Sequence, residues 1–314
     1  MALYDVTLAG LVILDASVIP VTSLSQTGTV DFVDKIRFTV AGPAGGTAVD
    51  CAKLGLRTSL VAVVGDDDVG FMTQRLLERH GVSSSYLRVV EGVRTSSSIV
   101  LVRPDGQRPA LHARGSSDYL CESDIRKEAY SAKVFHLGGT GLLGSLDGSP
   151  SRNVLAAAKE FGCITTFDMV GAREGSKDDV LMLLPYIDFF LPSIEEARVL
   201  AGLDEVDEVA QFFIDHGAHT CVFTLGGEGA IIIEKGMRLH LPAHQVNVVD
   251  TTGCGDAFSA GFIAGLSKGF DWELSARLGN ACAALVATDL GSDAGIHDWD
   301  QVWDVMKSWR LKTK

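Results

Sequence analysis

The chain has 314 residues, 46% hydrophobic and 21% charged, enough apolar material for a large packed core and too ordered a composition for a disordered chain. Its 27 lysines and arginines face 40 aspartates and glutamates, a formal charge of −13 with no basic cluster. This excludes nucleic acid and anionic membrane as expected partners and points to a small molecule. Six cysteines (Cys51, Cys121, Cys163, Cys221, Cys254 and Cys282) show neither a CxxC pair nor metal-ligand spacing, as expected of reduced thiols in a cytoplasmic protein.

The chain opens with YDVTLAGLVIL, which reads as a first strand. The N-terminus lacks a basic segment and carries Asp5 and Asp15, so neither a signal peptide nor a membrane span is expected. DFVDKIRFTVA then alternates Ile36, Phe38 and Val40 with Lys35, Arg37 and Thr39, the pattern of a sheet with one wet face. Helical GGTAVDCAKLGL, strand SLVAVVG and helical VGFMTQRLLERHG follow, and RTSSSIVLVRPDGQRPALHA reads as two extended runs around a PDG turn. KVFHLGG, SRNVLAAAKEFG and CITTFDM resume the alternation, as do DFFLPS, IEEARVLAGL, EVAQFFIDHGA and TCVFTLG. Such βαβ rhythm predicts an α/β fold, a doubly wound, mostly parallel sheet. It spans residues 1–314 as a single domain, with a small antiparallel β-flap, a lid, inserted from about 15–40 and 93–115.

The last quarter is mostly helical and carries the densest chemistry. VNVV reads as a strand, DTTGCG as a tight loop, and DAFSAGFIAGLSKG as a helix whose Ala260, Gly261, Ala264 and Gly265 give a slim face for packing on the sheet. A helix N-terminus offers unpaired N–H groups and the positive end of its dipole, and glycine lets an anion approach them. On those grounds alone, Asp256 could simply be a helix-stabilising carboxylate.

The run D-T-T-G-C-G-D-A-F-S-A-G-F resembles the C-terminal signature of the PfkB/ribokinase family of carbohydrate kinases. Further segments fall in that family's order. AGLVILD resembles its first strand, AGPAGGTAVDCAKLG its glycine-rich sugar turn, and VVGDDDVG its GxDxxG segment. LPSIEEARVLAG resembles the NxxE segment, TLGGEG the TLGxxG loop, and GNACAALVATDLGS the closing nucleotide-side helix. The resemblance implies transfer of the γ-phosphate of ATP to a sugar hydroxyl, with Asp256 as general base and the N–H groups of Gly253, Cys254 and Gly255 as an anion hole. It places Asp15, at a strand end, with Gly42, Gly45 and Gly46 at the sugar. Ser193 and Glu196 are assigned to the nucleotide side, Glu196 organising the water shell of Mg²⁺. Thr224, Gly226, Gly229 and Asn280 line ATP. Asp250 and Thr252 resemble the pair that binds a monovalent cation in K⁺-activated members, though an ordinary turn accounts for them as well.

This chain departs from the family pattern at several positions. Gly46 stands where the sugar turn usually has asparagine, Ser193 replaces the NxxE asparagine, and the DxN pair reads Asp168 then Val170. Arg173 is a candidate compensating phosphate contact. These departures leave the substrate open among sugars, sugar acids and nucleosides. They also keep two other readings in view, a non-catalytic sugar- or nucleotide-binding regulator and a pyridoxal-type vitamin kinase. GTGLLG with Asp168 fits a dinucleotide fingerprint, but Gly148 and Pro150 interrupt the helix that reading needs, and no P-loop motif occurs. His216/His219 and His240/His244 lack the carboxylates of a zinc site. Cys254, at a helix N-terminus, is expected to have a lowered pKa and to be reactive, its alkylation blocking turnover. An exposed apolar face on the flap predicts a homodimer through the lid.

Overall fold

The computed structural model describes residues 2–25, 28–172 and 174–312; Arg173 lies outside them. In chain order the strands are β1 (Tyr4–Gly10), β2 (Ile13–Ile19), β3 (Lys35–Ala41), β4 (Thr58–Gly65), β5 (Ser83–Val90), β6 (Ser97–Leu101) and β7 (Ala110–Ala113). They continue with β8 (Ala132–Thr140), β9 (Ile164–Met169), β10 (Phe189–Phe190), β11 (Thr220–Thr224), β12 (Ala230–Glu234) and β13 (Met237–Leu241). The helices are α1 (Gly45–Lys53), α2 (Asp68–Arg79), α3 (Ser149–Glu160), α4 (Lys177–Leu181), α5 (Ile194–Ala201), α6 (Val206–Asp215), α7 (Cys254–Ser267), α8 (Trp272–Val286) and α9 (Trp299–Ser308).

The main sheet has nine strands in the order β13-β12-β11-β10-β9-β8-β1-β4-β5. Strands β5, β4, β1, β8, β9, β10 and β11 pair in parallel, while β12 and β13 add an antiparallel edge. All eight residues of β4 are buried, as a strand covered on both faces requires. One face packs on α1, α2, α7, α8 and α9 through a core that includes Leu54, Leu77, Phe262, Leu278 and Val302. The other packs on α3 to α6 through Val154, Val180, Ile194 and Phe213. This is the expected doubly wound α/β architecture.

A second, four-stranded sheet has the order β3-β2-β6-β7. Its β2/β3 and β6/β7 pairs are antiparallel and its central β2/β6 pair is parallel. The opening apolar run splits between the two sheets. Gly10 (φ +142°) ends β1 where a Cβ would lie 1.8 Å from the Gly138 carbonyl oxygen, so the chain turns and re-enters as β2. Asp15 therefore sits inside a lid strand and not at the end of the first strand of the main sheet. The alternation of DFVDKIRFTVA holds at Ile36 and Phe38, which face outward, and breaks at Val40, which is buried. Phe38, Ala16, Ile99 and Leu111 form a cross-strand row, and Ile36, Phe38, Ile99 and Leu111 are 57%, 49%, 47% and 66% exposed. The neighbouring row Thr39, Asp15, Ser98 and His112 is polar.

Two local expectations change in the last quarter. VNVV forms no strand: Val249 N donates to Ala287 O at 2.8 Å, and no ladder continues from it. The slim glycine positions of α7 meet α8 and not the sheet, since a Cβ on Gly261 would lie 2.7 Å from Leu278 O and one on Gly265 2.4 Å from Ser275 Oγ.

Candidate active site

A cavity of about 670 Å³ lies between the lid and the carboxyl ends of the main-sheet strands, where ligands of open α/β sheets bind. Asp15, Ser98 and Arg108 line it from the lid; Asp168 lies near the end of β9 and Val170 just after it, Ser193 and Glu196 begin α5, and Thr224 ends β11 with Gly226 and Gly229 following. Residues 251–256 close its floor and Asn280 its far end. Gly42 lines it too. Gly45 and Gly46 do not: a Cβ on Gly45 would meet Val12 and Val40, and one on Gly46 would meet Asp256.

The floor is a helix terminus left open. Gly253 is the N-cap of α7 at φ +80°, with no side-chain cap. A Cβ there would lie 2.5 Å from Ser292 Cα, so only glycine fits both the backbone and the neighbour. The Cys254 N–H makes one long bond, 3.3 Å to Thr251 O, and among the described residues the Gly255 N–H has no acceptor. The unpaired Gly255 N–H and the weakly held Cys254 N–H, at the positive end of a 14-residue helix, suit an anion.

Asp256 follows in the first turn of α7. Burial, then the Asp15 and Glu196 carboxylates, push its pKa up to about 7, against the opposing charge of Arg108. A Cβ on Gly46 would come within 2.8 Å of Asp256 Oδ2, so the glycine that replaces the usual asparagine makes room for this carboxylate. Thr47 Oγ1 donates to Asp256 O at 3.2 Å and ties the glycine-rich turn to α7.

Asp15 is buried and pushed up to about 6 by burial; the Ser98 hydroxyl and Arg108 oppose that rise and Asp250 adds to it. Its Oδ1 has no hydrogen-bond partner, an unmet acceptor that a ligand hydroxyl would satisfy. Asp168 is held well above the carboxylate range by burial and by Glu196 and Asp256. Glu196 itself is raised by burial, with Ser193 opposing. It is no free surface glutamate: its Oε2 accepts from Ser193 Oγ at 2.7 Å and Ser193 N at 3.2 Å, while Ser193 Oγ accepts from Glu196 N at 3.3 Å. This capping box fixes the carboxylate on the cavity wall. Asp250 lies behind the floor, its Oδ1 accepting from Thr252 N and Oγ1 at 2.9 and 2.7 Å and its Oδ2 from Gly291 N at 3.0 Å.

The nucleotide-side candidates share one end of the cavity. Asn280 Nδ2 donates to Leu241 O and Pro242 O at 3.3 and 3.4 Å, beside Ala283, Ala284 and Ala287. The expectation for Cys254 is reversed. Burial pushes its thiol up to about 12, outweighing the helix terminus, and Sγ donates to Ala283 O at 3.5 Å. Sequence reasoning missed two cations on the cavity wall. Arg108 donates from Nε to Thr251 Oγ1 at 2.7 Å, and Lys312 donates to Gly227 O at 3.0 Å; each is remote in sequence from the residues it joins, and no motif marks either.

Residues 8–299 match the family model described as pfkB family carbohydrate kinase. The chain belongs to this family. It is 29% identical over 287 residues to probable fructokinase-4 of Arabidopsis thaliana, covering 85% of this chain and 87% of that protein. It is 28% identical over 263 residues to a ribokinase of Haemophilus influenzae, covering 81% and 83%. Among solved structures, a putative ribokinase II of E. coli superposes with a TM-score of 0.84 at 20% identity, over 97% of this chain and 99% of that one. Arabidopsis thaliana ribokinase complexed with ribose and ATP superposes at 0.81 and 23% identity, over 98% and 100%. At that identity the superpositions establish a shared ribokinase-like fold, and the family match establishes a carbohydrate kinase.

Proposed function

We propose that this kinase moves the γ-phosphoryl group of ATP to a hydroxyl of a sugar or sugar-like molecule, with Asp256 as general base. The observation that carries this reading is Asp256 in the first turn of α7, where a carboxylate tuned to about 7 adjoins an uncapped helix N-terminus and feels the field of Asp15. A base poised near the working pH is half ionised and ready to take a hydroxyl proton. The acceptor oxygen attacks the γ-phosphorus, its proton passes to Asp256, the bond to the β-phosphate oxygen breaks, and ADP leaves. The Gly253–Gly255 turn and the α7 dipole stabilise the phosphoryl oxygens. Asp15, with its unmet Oδ1, holds the acceptor beside Ser98 and Gly42; Thr224, Gly226, Gly229, Ser193 and Asn280 hold ATP.

The wall also suits Mg²⁺. Glu196 and Asp256 both raise the pKa of Asp168, and Glu196 raises that of Asp256, a repulsion a divalent cation relieves. No described group of three His, Cys, Asp or Glu side chains is built to chelate a metal, consistent with an ion that keeps waters and binds substrate phosphates. When bound, Mg²⁺ supplies charge neutralisation on the phosphates. In the same reading the chain is one unit whose lid excludes water over the acceptor, and its place is the cytoplasm, where the six free cysteines stay reduced. Among the described residues no helix is long and apolar enough to cross a membrane.

A second copy of the chain is the proposed cover for the outer lid row Ile36, Phe38, Ile99 and Leu111. Sedimentation should show a dimer that Phe38→Glu dissociates; a wild-type monomer at micromolar concentration would rule it out. For the chemistry, ADP release with Mg-ATP against a panel of sugars, sugar acids, nucleosides and pyridoxal should show turnover with a sugar-like acceptor. Asp256→Asn should lose about 10³-fold in kcat while still binding ATP. Absence of turnover with every acceptor, despite tight ATP or sugar binding, would favour a regulator.

A further inference from the structure

Beyond α9 the chain doubles back onto the nucleotide end of the cavity. Gln245 N donates to Arg310 O at 2.7 Å and Lys312 N to Ala243 O at 2.8 Å, and His244 and Leu311 form an antiparallel bridge between these two bonds. Residues 310–312 are thus held against 243–245, just past the end of β13. From this anchor the Lys312 side chain reaches the glycine-rich loop after β11, where Nζ donates to Gly227 O at 3.0 Å. A Cβ on Gly227 would lie 3.1 Å from that nitrogen, so the glycine leaves the ammonium its place. Gly226, Gly227, Ala243, His244 and Lys312 all line the cavity.

Two polar groups in this corner lack partners. An ammonium has three N–H donors. One goes to Gly227 O, and among the described residues Lys312 forms no ion pair. His244 is buried, and its Nδ1 has no hydrogen-bond partner. Burial lowers its pKa, against a hydrogen bond to the Trp309 backbone, so the ring is neutral and Nδ1 is an unmet acceptor. Buried polar atoms of this kind are normally satisfied, which marks the corner as a place for a ligand. The charge then selects the ligand. Lys312 stands beside Gly226, Gly227, Ala243 and Asn280, none of them charged, while the other cation of the cavity wall, Arg108, is bonded to Thr251 at the floor. An unpaired ammonium beside neutral groups attracts an anion, and its compact charge suits a phosphate.

We infer that Lys312 is a nucleotide-binding residue that pairs with a phosphate of ATP, so that the segment beyond α9 completes the nucleotide site. The inference rests on the assignment of this end of the cavity to ATP. The test is calorimetric titration of the full chain with ATP, and with adenosine as a competitor of ATP, for wild type, Lys312→Met and Lys312→Arg, together with steady-state kinetics. Lys312 is exposed and lies beyond the last helix, so neither substitution disturbs the core. Lys312→Met should bind ATP about tenfold more weakly and raise KM for ATP to match, with the affinity for adenosine and the acceptor KM unchanged. Lys312→Arg, which keeps the charge, should recover most of the loss. An unchanged ATP affinity in Lys312→Met overturns the inference. So does an equal loss for adenosine, which carries no phosphate and would report only a strap that shapes the Gly227 loop. If ATP binds but no acceptor gives turnover, the kinase reading fails separately and the titrations still decide; a wild type that binds no ATP overturns both.

Discussion

The two ends of the cavity are built on opposite principles. Around the proposed acceptor and Mg²⁺, charged groups are forced together: Asp15, Asp256, Asp168 and Glu196 are all raised by burial, and Asp15 and Glu196 both raise Asp256. At the nucleotide end the wall consists of small side chains and backbone, with Ala283, Ala284 and Ala287 beside Gly226 and Gly229. In the proposed mechanism, electrostatic strain thus lies where the proton moves, and the end proposed to bind ATP is shaped by volume. Substitutions at the two ends should therefore fail differently.

Asp15→Asn offers the larger effect. Loss of a charged acceptor at a substrate hydroxyl should raise the acceptor KM by about 10²-fold with KM for ATP unchanged, as measured by steady-state kinetics with each substrate varied in turn. An equal rise in both would erase the distinction between the ends. Ala284→Leu should do the reverse and less. Filling the buried nucleotide wall should raise KM for ATP about tenfold and leave the acceptor KM alone; an unchanged ATP affinity would show that this wall is not the nucleotide's.

Features encoded within a few residues were legible in the sequence, and those set by tertiary neighbours were not. The GCGD turn was legible because a left-handed Gly253 opening a helix is a local event. The parallel βαβ rhythm was legible for the same reason. Which face of the lid is wet was not, since strict alternation in KIRFTVA fixes two faces without saying which meets the cavity. The apolar run through Gly10 concealed a change of sheet, and VNVV has the β-branched residues of a strand but no neighbour to pair with. The β12/β13 hairpin AIIIEKGMRLHL passed unread, although Gly236 (φ +83°) marks its turn. Cys254 shows two effects in opposition: the helix terminus lowers a thiol pKa, and packing on α8 outweighs it. Arg108 and Lys312 act across 143 and 85 residues of sequence, a separation no motif spans.

The pH dependence of kcat/KM, with Mg-ATP and the best acceptor from pH 5 to 9, is the most direct measurement of how the acceptor end works. A base whose folded pKa is raised to about 7 is protonated and idle below that value, so kcat/KM should fall about tenfold per unit below pH 7 and level off above it. Arg108 lowers the Asp256 pKa, so Arg108→Ala should move that limb to higher pH. A profile flat from about pH 5.5 to 8, in wild type and variant alike, would contradict the assignment of Asp256 as a base tuned by its buried neighbours.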